Sequence, residues 1–237
     1  MIILVKLILA HLLGDFLVQP DSWVDAKEKK KLSAWQLYIH TVIHFILIML
    51  LVADIAFWKW ALLLALVHLG IDIAKIYLQT NETRRRYFFV DQMAHFLFIL
   101  FIWILYCNKP LSLEGHSGEY YIALATFIYA LTQPVSVLVR KFISQWSPEA
   151  EGKDSDSLEK AGNYIGIFER LFVFTFVLAG QWEAVGFLLA AKSVFRFGDL
   201  KESKDRKLTE YVLIGTLLSF GIAMLAGVIF LKLKITF

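Results

Sequence analysis

One cysteine, Cys107, stands among 237 residues, which excludes an intrachain disulfide framework and a multi-cysteine zinc site. Any metal held by this chain must be held by nitrogen and oxygen. Charge is scarce as well. Charged residues make up 19% of the chain and hydrophobic residues 58%, above the roughly 45–50% apolar content of a soluble protein. The mean hydropathy is positive, at +0.62. A water-soluble core is therefore the wrong starting point. No basic stretch is interleaved with aromatics in the manner of single-strand binders, so the net charge of +3 does not imply a nucleic-acid partner.

What the chain has instead is long apolar runs. Residues 37–52, 60–69, 96–106 and 212–231 are nearly free of charge, and a bilayer span needs about 20 such residues, with roughly 17–25 as the range. The pattern predicts an all-α polytopic membrane bundle of about eight transmembrane helices, at about 2–18, 34–56, 59–79, 87–107, 119–141, 163–179, 182–197 and 208–231. The sixth and seventh are short enough to form a re-entrant pair, and merging them would leave about seven spans. The opening segment has Lys6 as its only early charge and no A-x-A type cleavage site, so it reads as a retained helix rather than a signal peptide.

Alternate loops differ in charge. Lys27, Lys29, Lys30 and Lys31 follow the first helix, Arg84, Arg85 and Arg86 the third, Arg140, Lys141, Lys153 and Lys160 the fifth, and Lys201, Lys204, Arg206 and Lys207 the seventh. The intervening loops carry Lys59 and Lys109 alone. Cytoplasmic loops hold the lysine and arginine excess, so a multi-pass membrane protein with both termini outside the cytoplasm is expected. Lys232 and Lys234 dissent. Residues 147–162 form a polar cytoplasmic linker able to dock a soluble partner, between a metal-site bundle at 1–146 and C-terminal membrane helices at 163–237.

Four pairs of ligand-type residues recur at i,i+4 spacing: His11 with Asp15, His40 with His44, His68 with Asp72, and Asp91 with His95. Residues four apart share one face of a helix, one turn apart. The pairs fall near the end of helix 1, the start of helix 2, the end of helix 3 and the start of helix 4, so an up-down bundle brings all eight to one depth. A lone histidine in a membrane helix is more often an interhelical hydrogen-bonding group. A carboxylate at bilayer depth is harder to dismiss, at about 2.5–3.5 kcal/mol even on insertion scales. With no lysine or arginine of helices 1 to 4 expected at that depth, Lys75 being the nearest, metal is the favoured counter-charge and a proton relay the competing account.

Imidazole with carboxylate suits zinc, manganese or iron better than copper(I). Eight ligand-type residues exceed the usual three protein ligands of a catalytic zinc, so the cofactor is one or two divalent ions, or part of the set orients true ligands. Gln19 and Asp21 lie at the same membrane edge. In the second half Glu169, Arg170, Lys192, Arg196 and Glu210 fall near the cytoplasmic face, where Glu169, Lys192 and Arg196 are candidates to bind a phosphate headgroup.

The segments HLLGDFLVQPD at 11–21, IHTVIH at 39–44, HLGID at 68–72 and DQMAH at 91–95 resemble the bacterial and phage membrane proteins grouped as domain of unknown function 3307. GNYIGIFERL at 162–171, AAKSVFRF at 190–197 and EYVLIGTLLS at 210–219 are similar to its longer members. The resemblance implies a place in the bacterial cytoplasmic (inner) membrane and no established activity. A looser likeness, of architecture alone, exists to membrane-bound metal-dependent hydrolases. The expected function is hydrolysis of a lipid or lipid-linked ester at the cytoplasmic leaflet, with Asp15 and Asp91 as candidate bases. The alternatives are a divalent-ion or proton transporter using the same cluster, a di-iron oxidoreductase, and a non-catalytic subunit with a structural metal.

Overall fold

The structure is a computed structural model that describes residues 2–107, 117–146, 155–197 and 203–233, with the side chains at 117, 155–160, 195–197 and 203–209 excepted. Every described element is helical: α1 (Ile2–Leu13, continued by one wide turn, Gly14–Val18), α2 (Asp21–Lys30), α3 (Trp35–Val52), α4 (Trp58–Leu78), α5 (Arg84–Cys107), α6 (Ser117–Ala130), α7 (Gln133–Ile143), α8 (Ser155–Leu178), α9 (Trp182–Phe197) and α10 (Ser203–Lys232). Of the polar segment at 147–162, and with it the expected docking loop, residues 147–154 lie outside the described residues and the remainder opens α8.

Six segments are long and apolar enough to cross a membrane: Trp35–Val52, Ile55–Leu78, Arg84–Cys107, Gly118–Trp146, Ala161–Leu178 and Glu210–Lys232. A bent pair, Ile2–Val18 with Asp21–Ser33, makes seven if it counts as one span. The expectation of about eight spans is thus met only as a helical membrane bundle. α9 has 16 residues, which rise about 24 Å against a hydrocarbon layer of roughly 30 Å.

The first bend has a covalent cause. Proline disfavours helical backbone in the residue before it, and Gln19 takes ψ 104° ahead of Pro20 at φ −74°, ψ 155°. α1 ends there, and α2 leaves at 87° to it. The stretch read from sequence as a charged loop is consequently a helix.

The chain divides into two compact units, residues 2–126 and 127–233. In the first, α1 packs on α3 and α5, and α4 packs on α3 and α5, closing a ring of four helices. Each presents one stripe inward at three- and four-residue spacing: Leu37, His40, His44, Ile48 and Val52 on α3; Ala61, Leu64, Ala65, His68, Asp72 and Ile76 on α4; Asp91, His95, Ile99 and Ile102 on α5. The opposite faces are apolar and exposed, among them Val42, Ile46, Leu50, Leu66, Met93, Leu97 and Phe101. Apolar outside and polar inside is the arrangement lipid requires, since hydrocarbon offers the polar groups no partner. Half of the ring interior is dry, filled by Leu7, Ala10, Ile48, Val52, Phe57, Ala61, Leu64, Ile99 and Ile102.

In the second unit α8 packs along α10. A Cβ on Gly227 would lie 2.6 Å from Val177 Cγ1, so glycine lets these backbones approach, as membrane helix pairs favour. The predicted fifth helix is broken. Leu131 and Thr132 separate α6 from α7, and Pro134 falls in the first turn of α7, where a residue without an N–H costs nothing.

Candidate metal centre

All eight predicted ligand residues meet inside the α1–α3–α4–α5 ring. The side chains of His11, His40, His44, His68, Asp72, Asp91 and His95 are buried, and Asp15 is 12% exposed. Asp15 lies at the middle. Its Oδ1 is 3.0 Å from His44 Nε2, 3.2 Å from His40 Nε2 and 3.5 Å from His68 Nε2. His40 Nε2 in turn lies 3.1 Å from His68 Nε2 and 3.2 Å from His44 Nε2. Five of the six separations among these four donor atoms from α1, α3 and α4 are thus 3.0–3.5 Å.

Those spacings are what a tetrahedral ion needs. The corners of a regular tetrahedron lie about 0.61 of an edge from its centre, so edges of 3.0–3.5 Å place four donors about 1.8–2.1 Å from a common point, against zinc–nitrogen and zinc–oxygen distances of roughly 2.0–2.2 Å. Hydrogen bonding alone does not account for the cluster. A neutral imidazole offers one N–H and one lone pair on opposite nitrogens. His40 Nε2 nevertheless faces three polar atoms at 3.1–3.2 Å, while His40 Nδ1 is buried without a partner. The donor set, three imidazoles and a carboxylate, suits zinc, manganese or iron.

The remaining residues surround this core. The Gln92 amide accepts from His11 Nε2 at 3.3 Å and donates to Asp15 Oδ2 at 3.0 Å and Asp91 Oδ2 at 3.3 Å. It fixes the Asp15 carboxylate from behind, as carboxylates around metals are commonly fixed. Asp72 and Asp91 have cationic partners: Lys27 Nζ is 2.6 Å from Asp72 Oδ2, and Lys75 Nζ is 2.8 Å from Asp91 Oδ2. The sequence places no lysine or arginine of the ring helices at this depth, yet Lys75 of α4 reaches Asp91 from within the ring, and Lys27 of α2 reaches Asp72 from outside it. The turn at Pro20 lays α2 against the bundle and buries Lys27, which also donates to Gln19 Oε1 at 3.3 Å. Lys31 adds a hydrogen bond to the Ile76 carbonyl. Asp21 stays exposed in the first turn of α2.

His95 is left over. It stacks on His68 with ring centroids 4.0 Å apart, and both its nitrogens are buried without a hydrogen-bond partner. Asp91 Oδ1, 3.9 Å from His95 Nδ1, also lacks one. A cavity of about 20 Å³, room for one or two water-sized occupants, is lined by His11, His44, His68 and His95 on its polar side.

Besides Lys27, two residues of this centre do not stand out in the sequence. Gln92 lies beside Asp91 and differs from the ligand residues only in being an amide. Gly14 was visible only as part of a motif. A Cβ at Gly14 would lie 2.5 Å from His44 Cε1 and Nε2, so only glycine lets the His44 ring reach Asp15. Gly14→Ala is expected to push that ring out of the tetrahedron and to weaken metal retention at least tenfold while the protein still inserts. Metal content after dialysis against a graded chelator series measures it.

The candidate headgroup residues belong to the second unit. Lys192 Nζ lies 2.5 Å from Glu169 Oε2, so these two answer each other. Arg196 is on the last turn of α9, and its side chain lies outside the described residues. The residue between α7, α8 and α10 is Arg170, 3% exposed. Its guanidinium donates to the Leu131 and Thr132 carbonyls and to the Ser136 and Ser219 hydroxyls at 2.5–3.1 Å.

Fold and site together define a polytopic helical membrane protein with a buried histidine–aspartate cage. Residues 3–121 match the family described as "Protein of unknown function (DUF3307)"; this is half of the 237-residue chain, and the chain belongs to that family. The matched segment contains the whole cage. No curated protein and no solved structure matches the chain.

Proposed function

We propose that the cage is a divalent-metal centre, and that the protein uses it to hydrolyse a lipid or lipid-linked ester at the cytoplasmic headgroup level of a bacterial inner membrane. The observation that carries this reading is the set of five edges of 3.0–3.5 Å among Asp15 Oδ1 and the Nε2 atoms of His40, His44 and His68. The lysine and arginine excess turns the cage end of the bundle to the cytoplasm and the N-terminus outward. The C-terminus lies outside with eight crossings and inside with seven.

When bound, such an ion lowers the pKa of a coordinated water and polarises the scissile carbonyl or phosphoryl oxygen. The chain's own residues supply the rest. Gln92 and His11 hold Asp15 in register. Asp91, tethered through Oδ2 to Lys75 and with Oδ1 unpartnered, is the better placed of the two candidate bases, since Asp15 is enclosed by four imidazoles. The dry plug of Leu7, Ile48, Val52, Phe57, Leu64, Ile99 and Ile102 fills the far half of the ring, which favours a resident ion over one in transit.

A structural ion in a non-catalytic subunit is the second reading. It is favoured by the four-donor tetrahedron, the closed coordination of structural zinc sites. Mass-spectrometric metal analysis of purified protein is expected to give stoichiometric zinc, manganese or iron, and cytoplasmic-leaflet esters are expected to turn over in a chelator-sensitive way. Protein free of metal at full yield removes both readings. Stoichiometric metal with no turnover across phospholipid and lipid-linked ester panels leaves the structural ion.

A further inference from the structure

Charge inside the cage sums to an odd number. Asp15, Asp72 and Asp91 bring three negative charges and Lys27 and Lys75 two positive ones; with His40, His44 and His68 neutral as metal ligands and His11 and His95 counted in their neutral form, the formal sum among the described residues of the cage is −1. A divalent ion reverses that to +1. A net charge enclosed by low-dielectric surroundings is expensive unless paired. Here the residues that could have paired it are already engaged, Asp72 by Lys27 and Asp91 by Lys75.

A second, independent observation points to what completes the balance. His95 is 3% exposed, lines the 20 Å³ cavity beside His11, His44 and His68, and has no partner at either ring nitrogen. One of those nitrogens carries a proton in the neutral ring, and a buried donor left unsatisfied costs about 1–3 kcal/mol. The missing partner is an acceptor small enough for the cavity. Apolar walls from Leu7, Ile48, Leu64, Phe98 and Ile99 exclude a hydrated or multiply charged group.

We propose that the metal in this centre is bound together with one small monoanion, seated in the cavity and held by an N–H donated from His95. The inference rests on the metal reading above and adds the class of ligand that shares the site: a single-charge anion of one to three non-hydrogen atoms, such as azide, formate or hydroxide. His95 is thereby a positioning residue for that anion, distinct from the four donors that hold the ion. Asp91, 3.9 Å from His95 Nδ1, limits how far the ring can turn.

Cobalt(II) loaded into the full-length protein in detergent provides the readout, because its visible absorption reports coordination without any turnover. Titration with sodium azide is expected to change the spectrum with 1:1 saturation. His95→Ala is expected to keep one cobalt per chain and to bind azide at least tenfold more weakly, and His95→Gln, which restores an N–H, to recover part of the loss. Sulfate, doubly charged and larger, is expected to leave the spectrum unchanged. A cobalt spectrum indifferent to azide, azide affinity within twofold of wild type in both His95 variants, or loss of cobalt itself in both variants each overturns the anion site while leaving the metal centre standing. Failure of the wild-type protein to bind cobalt overturns both.

Discussion

His40→Ala is expected to strip the metal from the protein and to abolish any metal-dependent turnover, while the chain still inserts and folds in the membrane. His40 Nε2 makes three of the five edges of 3.0–3.5 Å, to His44, His68 and Asp15, and its ring is 1% exposed. Asp72 is held by Lys27 and Asp91 by Lys75, and His11, which lies within 4.8 Å of the Asp15, His44 and His68 donors, is engaged by Gln92. Removing partners that merely orient metal ligands costs about 10–100-fold in affinity, so loss of a ligand itself is expected to exceed about 100-fold. Insertion is unharmed because α3 is apolar along its length and alanine is less polar than histidine. Metal per chain, measured after matched chelator dialysis, checks the result, with Asp54→Asn at the opposite end of the ring as the control. Wild-type metal content in His40→Ala would remove the proposed centre.

Arg170→Met is expected to destabilise the second unit by about 2–4 kcal/mol. Interhelical hydrogen bonds in membranes average about 0.6 kcal/mol each and reach about 1.7, and Arg170 makes four of them. Two go to carbonyls at the α6–α7 break, of which the Thr132 carbonyl also accepts from Ser136 N–H at 3.1 Å. The serines regain hydrogen bonds to their own helices once the arginine is gone; the Leu131 carbonyl has no such recourse. Arg170→Lys is expected to recover only part of the loss, because a point-like ammonium cannot span both the break and Ser219 as a planar fork does. Thermal or denaturant unfolding of the detergent-solubilised protein measures both variants. Methionine at wild-type stability would show that the break is held by something other than this side chain.

The two expected effects differ in how much of each was legible in the sequence. The ligand pairs were, because i,i+4 spacing is a local property: once 37–52 is helical, His40 and His44 share a face whatever the helix packs against. That this face points inward follows from the imidazoles themselves, since lipid offers a polar group no partner, while Val42, Ile46 and Leu50 on the opposite face are exposed. In the sequence Arg170 is only one polar residue near a membrane edge. Its role depends on where the α6 carbonyls end, and that is set by Pro134 and the packing of α7, α8 and α10 rather than by anything beside Arg170 in the chain. Lys27 was missed for a related reason. Four lysines in five residues look like a solvated topogenic loop, and nothing local says that one of them turns inward.

Hydropathy, the scarcity of cysteine and the 3.6-residue period were enough to establish a helical membrane protein with histidines and aspartates gathered at one depth, because burial in lipid and helical periodicity act on each segment separately. Which nitrogen faces which oxygen, that Gln92 and Gly14 belong to the same centre, and that Lys27 and Lys75 answer two of the three carboxylates were decided by the tertiary structure alone. Those relations depend on the rotation of four helices about their axes and on the 87° turn between α1 and α2. Such quantities are set by side-chain packing between segments far apart in the chain.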